Sequence, residues 1–273
     1  MLSKRFASTA GLALAATLLL SSSQVFAAND QEDINSMITR FKTAIEANPN
    51  NAKTRKGLGS AYLMSGNLDG AIEQYKHAIK LQNDDAESYI GLARAQIRKG
   101  DYKEANNTLK SGVKMQPNDA DLHYKLGQVL NRLNQEDPAI NEFKQAIKLN
   151  GQNSAAHRDL GAMLGLKNDI DGELAEEKKA LDLNPDDANA LYYISNAYAL
   201  KGDRDKAAES LQKCVQLDPK NSDAFKLLAG IHVSNGKYHE AIKCAEEACK
   251  LNPDDKGAKE ALAKIKEVAS KQK

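Results

Sequence analysis

A 34-residue period runs from residue 52 to residue 255 and leaves this chain little freedom in what it can fold into. It is clearest over residues 188–221. Leu191, Ile194, Ala197 and Tyr198 fall at helical spacing, Gly202-Asp203 interrupts the run, and Ala207, Leu211, Val215 and Leu217 resume it before Pro219 closes the unit. That pattern predicts two amphipathic helices joined by a turn. One such hairpin cannot bury both of its apolar faces, so it is stable only when stacked on copies of itself.

The copies occupy residues 52–85, 86–119, 120–153, 154–187, 188–221 and 222–255. Their seventh place holds Leu58, Leu92, Leu126, Leu160, Ile194 and Leu228. Their eighth holds Gly59, Ala93, Gly127, Gly161, Ser195 and Ala229. Small residues there predict helix backbones crossing at close range. The twentieth place gives Ala71, Ala105, Ala139, Ala207 and Ala241, with Glu173 as the exception, and the twenty-seventh is small throughout. Pro117, Pro185, Pro219 and Pro253 end four of the second helices, with Asn83 and Gly151 in the same place elsewhere. Asp85, Asp119, Asn153, Asp187, Asn221 and Asp255 precede the first helices as N-caps, and Asp137-Pro138 reads as a cap followed by a first-position proline.

This set of places resembles the tetratricopeptide repeat. The resemblance implies an all-α, right-handed solenoid of six helical hairpins, with the first helices lining a concave groove where partners bind. The clamp by which some relatives hold a C-terminal carboxylate does not carry over, because Ser60 follows Lys56 where that clamp has Asn.

The ends read differently. Residues 1–27 carry Lys4 and Arg5, an apolar run over residues 11–20 and the small-x-small site Val25-Phe26-Ala27, which together read as a secretory signal peptide. The run is short of the roughly 20 residues a membrane span needs, and no cysteine follows it as a lipoprotein anchor would require. The expectation is export, to a periplasm or as a secreted protein, with no membrane-spanning segment after cleavage. Cleavage removes two positive charges and leaves 36 basic against 37 acidic residues, a balance that gives no sign of nucleic-acid binding. Residues 28–33 read as disordered. Residues 28–51 form a half repeat, a lone second helix over residues 34–47 packing through Met37, Phe41 and Ala44. Residues 256–273 form a capping helix with Ala258, Leu262, Ile265 and Ala269 on one side.

On the first helices, opposite the packing stripe, lie Lys53, Lys56, Arg94, Arg98, Lys125, Arg132 and Arg158, against Glu87, Asp121 and Asp159. Seven positive against three negative charges predict a basic first half of the groove. Tyr124, Asn131, Asn189, Tyr192, Tyr193 and Asn196 add the Tyr and Asn chemistry of peptide-binding surfaces. The reading is a protein or peptide partner with an acidic segment, held by Arg pairing and Tyr packing. Two alternatives stay open: an anionic polymer or lipid headgroup on the basic half, or self-association as a spacer.

No catalytic or cofactor motif is present. His123 and His157 recur at one place and read as packing residues, and His239 with Cys244 lacks zinc-site spacing. Cys214 and Cys249 sit in similar phases of adjacent second helices, where a disulfide is geometrically allowed. The alternative is three buried free thiols, Cys244 included. Glu173 and Glu177 share an inward face. The helix must therefore rotate onto Leu174, Ala180 and Leu181, or the acids must find cations, and the fourth unit is expected to be the softest point of the array and a hinge.

Overall fold

The structure, a computed structural model, describes residues 22–271, all of them in helices and short turns. It divides into two compact units, residues 1–115 and 116–273. The leader expected over residues 1–27 falls mostly on residues outside those described.

The first unit holds α1 (Ser22–Ala47), α2 (Ala52–Ser65), α3 (Leu68–Leu81), α4 (Ala86–Lys99) and α5 (Tyr102–Met115). Helix α1 reaches back through residues 28–33, which were expected to be disordered. It packs on α2 through Phe41, whose ring occupies the space a Cβ on Gly57 would need, at 2.6 Å. Ile34, Ile38 and Ile45 are half-buried beside it, while Met37 and Ala44 are exposed. The face expected from the repeat places is thus partly wrong. In a full repeat those places are covered by the unit's own first helix, and here the burial follows α2 instead.

The second unit holds α6 (Ala120–Arg132), α7 (Glu136–Leu149), α8 (Ser154–Leu166), α9 (Ile170–Leu183), α10 (Ala188–Leu200), α11 (Arg204–Leu217), α12 (Ser222–Ser234), α13 (Tyr238–Leu251) and α14 (Lys256–Ser270). Both units are built from consecutive antiparallel helices, an all-α repeat solenoid.

Each hairpin turns at the same place of the repeat. Its fifteenth residue has positive φ: Gly66, Gly100, Asn134 (φ 56°), Asn168 (φ 62°), Gly202 and Gly236. Gly takes this left-handed conformation without penalty, and Asn tolerates it better than other side chains do. The N-caps behave as their sequence predicts at Asp119, Asn153, Asp187, Asn221 and Asp255, whose side chains accept backbone N–H groups. Asp85 instead accepts from the Ser88 hydroxyl and from Lys56. Helix α7 begins at Glu136, not after Asp137, so Pro138 is its third residue. That is still a first-turn position whose N–H would have no helical partner.

The small eighth place has a different cause from the expected backbone crossing. A Cβ on Gly127 would meet the ring of Phe143 at 2.7 Å, and one on Gly59 would meet the ring of Tyr75 at 3.2 Å. Phe143 and Tyr75 occupy the twenty-fourth place of their units, and both are buried. Burying such a ring contributes roughly 2–3 kcal/mol. What the eighth place accommodates is a large side chain from the second helix.

Candidate partner-binding surface

In the first unit, Lys56 projects from α2 and is already engaged. Its Nζ lies 3.0 Å from Asp85 and 2.6 Å from Glu87. Arg98, on α4, donates through Nη1 to the carbonyl of Leu63. Arg94 is exposed. Of the positive charge expected on this face, that of Lys56 is therefore tied down, while Lys53 and Arg94 stay exposed.

In the second unit the same holds for Arg158, on α8. Its guanidinium bridges Asp159 at 2.9 Å and Asp187 at 2.8 Å. Asp187 is itself the N-cap of α10, accepting the N–H groups of Asn189 and Ala190. Burial opposes the charge on Arg158, but the two aspartates outweigh it and the net pKa shift is upward. Tyr124, on α6, is buried rather than displayed. Its hydroxyl donates to Asp159 at 3.0 Å and accepts from Gln128 Nε2 at 2.8 Å. Burial first, then the charge of Asp159, pushes its phenol pKa up. Lys125 lies over the Tyr124 ring and donates to Gln128. Tyr124, Gln128, Asp159, Arg158 and Asp187 thus form one polar network joining α6, α8 and the start of α10.

The recurring element is a cation at the fifth place and an aspartate 29 residues later, at the cap of the next first helix. Lys56–Asp85, Arg158–Asp187 and Lys226–Asp255 all follow it, the last at 2.8 Å. These side chains hold neighbouring repeats in register, and two of the seven cations counted toward a basic groove, Lys56 and Arg158, are neutralised in this way. Asp187 and Gln128 belong to this network and were not singled out as site residues in the sequence. For Asp187 the 29-residue spacing from Arg158 was the available signal.

What remains open on the first-helix face of the second unit is Asn131, Arg132, Asn189 and Asn196, all exposed, with the half-buried Tyr192 and Tyr193. The two tyrosine rings meet edge to face, 5.7 Å apart. Tyr192 also packs against the apolar cluster of Leu191, Leu211 and Leu228. Burial raises the pKa of both phenols, so each stays a neutral hydrogen-bonding group with an apolar body.

His123 and His157 are buried, as their periodicity suggested. Each ring reaches a second-helix glutamate through Nδ1, Glu142 and Glu176 respectively, both at 2.6 Å. Each Nε2 faces a carbonyl in the preceding loop, of Pro117 and of Gly151. The allowed Cys214–Cys249 bridge is not formed. Cys214, Cys244 and Cys249 are free thiols, and the buried Sγ of Cys214 points at the carbonyl of Ala188, 3.2 Å away, a partner within its own hairpin. Among the described residues no three His, Cys, Asp or Glu side chains gather as metal ligands, and no helix is long and apolar enough to cross a membrane.

Glu173 and Glu177, on α9, took neither of the two routes expected of them. The helix has not rotated: Leu174 and Ala180 are buried, and so are both acids, at 3% and 0% exposure. Among the described residues no ion pair to either acid is formed, and Glu173 Oε2 and both Glu177 carboxyl oxygens are without a hydrogen-bond partner. They sit where glycines on α8 leave room, Glu177 over Gly161 and Glu173 over Gly165. Desolvation pushes the Glu173 carboxyl up to about 7. Desolvation, then the charge of Glu173, pushes Glu177 up to about 9 against the opposing effect of Arg158.

A tetratricopeptide repeat family model matches residues 28–95, 63–129, 96–164 and 198–265. Among solved structures the chain is similar to YrrB, described as a tetratricopeptide repeat protein with an unusual peptide-binding site. The two are 28% identical over 67% of this chain and 95% of that one, with a TM-score of 0.57. It also resembles MamA from Desulfovibrio magneticus RS-1 (24% identity, 63% and 97% coverage, TM-score 0.56). A third similar structure is PilF of Pseudomonas aeruginosa (16% identity, 78% and 97% coverage, TM-score 0.70). These last two likenesses concern the fold alone. No curated protein sequence matches this chain.

Proposed function

The chain belongs to the tetratricopeptide repeat family, and from that premise we propose that it is a non-catalytic scaffold holding a protein or peptide segment against its first-helix face. The observation that carries this reading is the surface of α10. Tyr192 and Tyr193 present partly exposed edges between Asn189 and Asn196, while the charged side chains around them are consumed in the network that fixes the repeats. Such a surface offers apolar area and amide hydrogen bonds at modest entropic cost. Arg132, exposed two repeats away on α6, supplies the charge for an acidic portion of the partner. The peptide-binding site named for YrrB adds support from a similar chain. In the same reading the leader over residues 1–27 directs the protein out of the cytoplasm, to a periplasmic role in envelope assembly or secretion.

A photo-crosslinking side chain placed at Asn196 tests this, with the same group at the exposed Glu209 of α11 as control. A discrete adduct from Asn196, absent from the control and lost on Tyr193→Ala without a change in melting curve, is the expected result. Equal adducts from both positions would remove the first-helix face from consideration.

A further inference from the structure

The twenty-fourth place of the repeat holds Tyr75, Leu109, Phe143, Glu177, Leu211 and, in the last unit, Ala245. The first five side chains are buried, and Tyr75, Phe143 and Glu177 fill the space above the eighth place of their hairpins. Ala245 stops at its Cβ. A cavity of about 320 Å³ opens there, among α12, α13 and α14. Its apolar lining is the buried Ala229, Ala245, Ala248 and Ala258 together with Val233 and Ile265. Its mouth lies at exposed Gly230, where an added Cβ would meet nothing within 4 Å. An apolar cavity of about 150 Å³ already suffices to take up benzene, so this one has room for the side chain that the other repeats supply from within.

The polar side chains lining the cavity are lysines, Lys226 and Lys264. Lys226 is held by Asp223 and Asp255 at 2.7 and 2.8 Å. Lys264, on α14, is exposed and makes no ion pair among the described residues. An apolar hole with an uncommitted cation at its rim selects for both properties in one guest.

We propose that the last repeat is a docking pocket for an acidic peptide segment, which inserts a Phe or Leu side chain over Ala245 and sets a carboxylate against Lys264. The guest residue completes the hairpin as Phe143 and Leu211 complete theirs. The inference rests on the scaffold reading above and gives it a second, chemically defined point of attachment.

The test is alanine-methyl NMR of the full chain, titrated with the acetylated peptide Glu-Asp-Phe-Glu-Asp and with the same peptide carrying Ala at its centre. The expected result is saturable shifts of the Ala229, Ala245 and Ala258 methyls with the Phe peptide, and at least tenfold weaker binding of the Ala peptide. Ala245→Leu, which fills the pocket from inside, should abolish the response while raising or preserving the melting temperature. Lys264→Glu, on an exposed position, should weaken binding several-fold and keeps the test decisive if the leucine variant does not fold. Silent pocket methyls, or unchanged binding by either variant, would overturn the pocket. Shifts confined to Ala190 and Ala197 on α10 would overturn it while leaving the scaffold reading intact, and silence at both surfaces would count against both for acidic peptides.

Discussion

The third and fourth hairpins of the array share one backbone plan and differ in what fills them. Both pair a thirteen-residue first helix with a fourteen-residue second helix, turn on an Asn with positive φ, and hold a buried His against a second-helix Glu. Over Gly127 the third places the ring of Phe143. Over Gly161 the fourth places the carboxyl of Glu177, with Glu173 over Gly165 behind it. The ring gains dispersion and loses hydration on burial. The carboxyl fits the same hole only by keeping its proton, with its oxygens unpartnered. The backbone plan is therefore set by small residues and turns, while the stability of each hairpin is set by one side chain at the twenty-fourth place.

The largest effect is expected of Phe143→Glu, which removes the buried ring and leaves a carboxyl without a partner over Gly127. Hairpin α6–α7 should lose about 4 kcal/mol of local stability, seen as loss of amide protection there before any change in α12 and α13. The converse substitution, Glu177→Leu, should gain about 2–3 kcal/mol at pH 8 and raise the urea midpoint of the second unit. Arg158→Ala should cost about 1–2 kcal/mol, because Asp159 and the cap of α10 lose their shared partner. A binding defect in that variant that vanishes once its stability is restored by Glu177→Leu would identify Arg158 as structural. Smallest of all is Lys201→Ala. Both ends of its bridge to Asp171 are exposed, so no shift in melting temperature should be resolvable.

Much of this was legible in the sequence, and the parts that were not have identifiable reasons. Hairpin boundaries, turns and most caps follow from local chemistry repeated six times, so an error in one unit is corrected by the others. The half repeat of α1 had no such support: Met37 and Ala44 were assigned by analogy with full units, and burial instead followed Phe41 and its isoleucines toward α2. The surface charge was read from first-helix residues alone, which left out the aspartates at the caps of the following helices. Lys56 and Arg158 find such partners 29 residues on. For Glu173 and Glu177 the inward direction was legible, but not that Gly161 and Gly165 make room for protonated acids without rotation or pairing. The pocket over Ala245 was also written in the sequence, as the one Ala at a place otherwise held by larger side chains.

The central claim is that the fourth hairpin is built around acids that must stay protonated, and pH tests it most directly. A carboxyl whose folded pKa lies above its unfolded value binds its proton more tightly in the folded state, so stability falls as pH rises between the two. For Glu173 that window runs from 4.5 to about 7, and for Glu177 from 4.5 to about 9. Site-resolved amide exchange, corrected for intrinsic rates, should show the opening free energy of α8 and α9 falling by about 2–4 kcal/mol from pH 5 to pH 8. That of α6 and α7 should change far less, and Glu177→Gln should remove most of the slope. Equal and flat profiles for the two hairpins, or a slope that survives Glu177→Gln and Glu173→Gln together, would contradict the account.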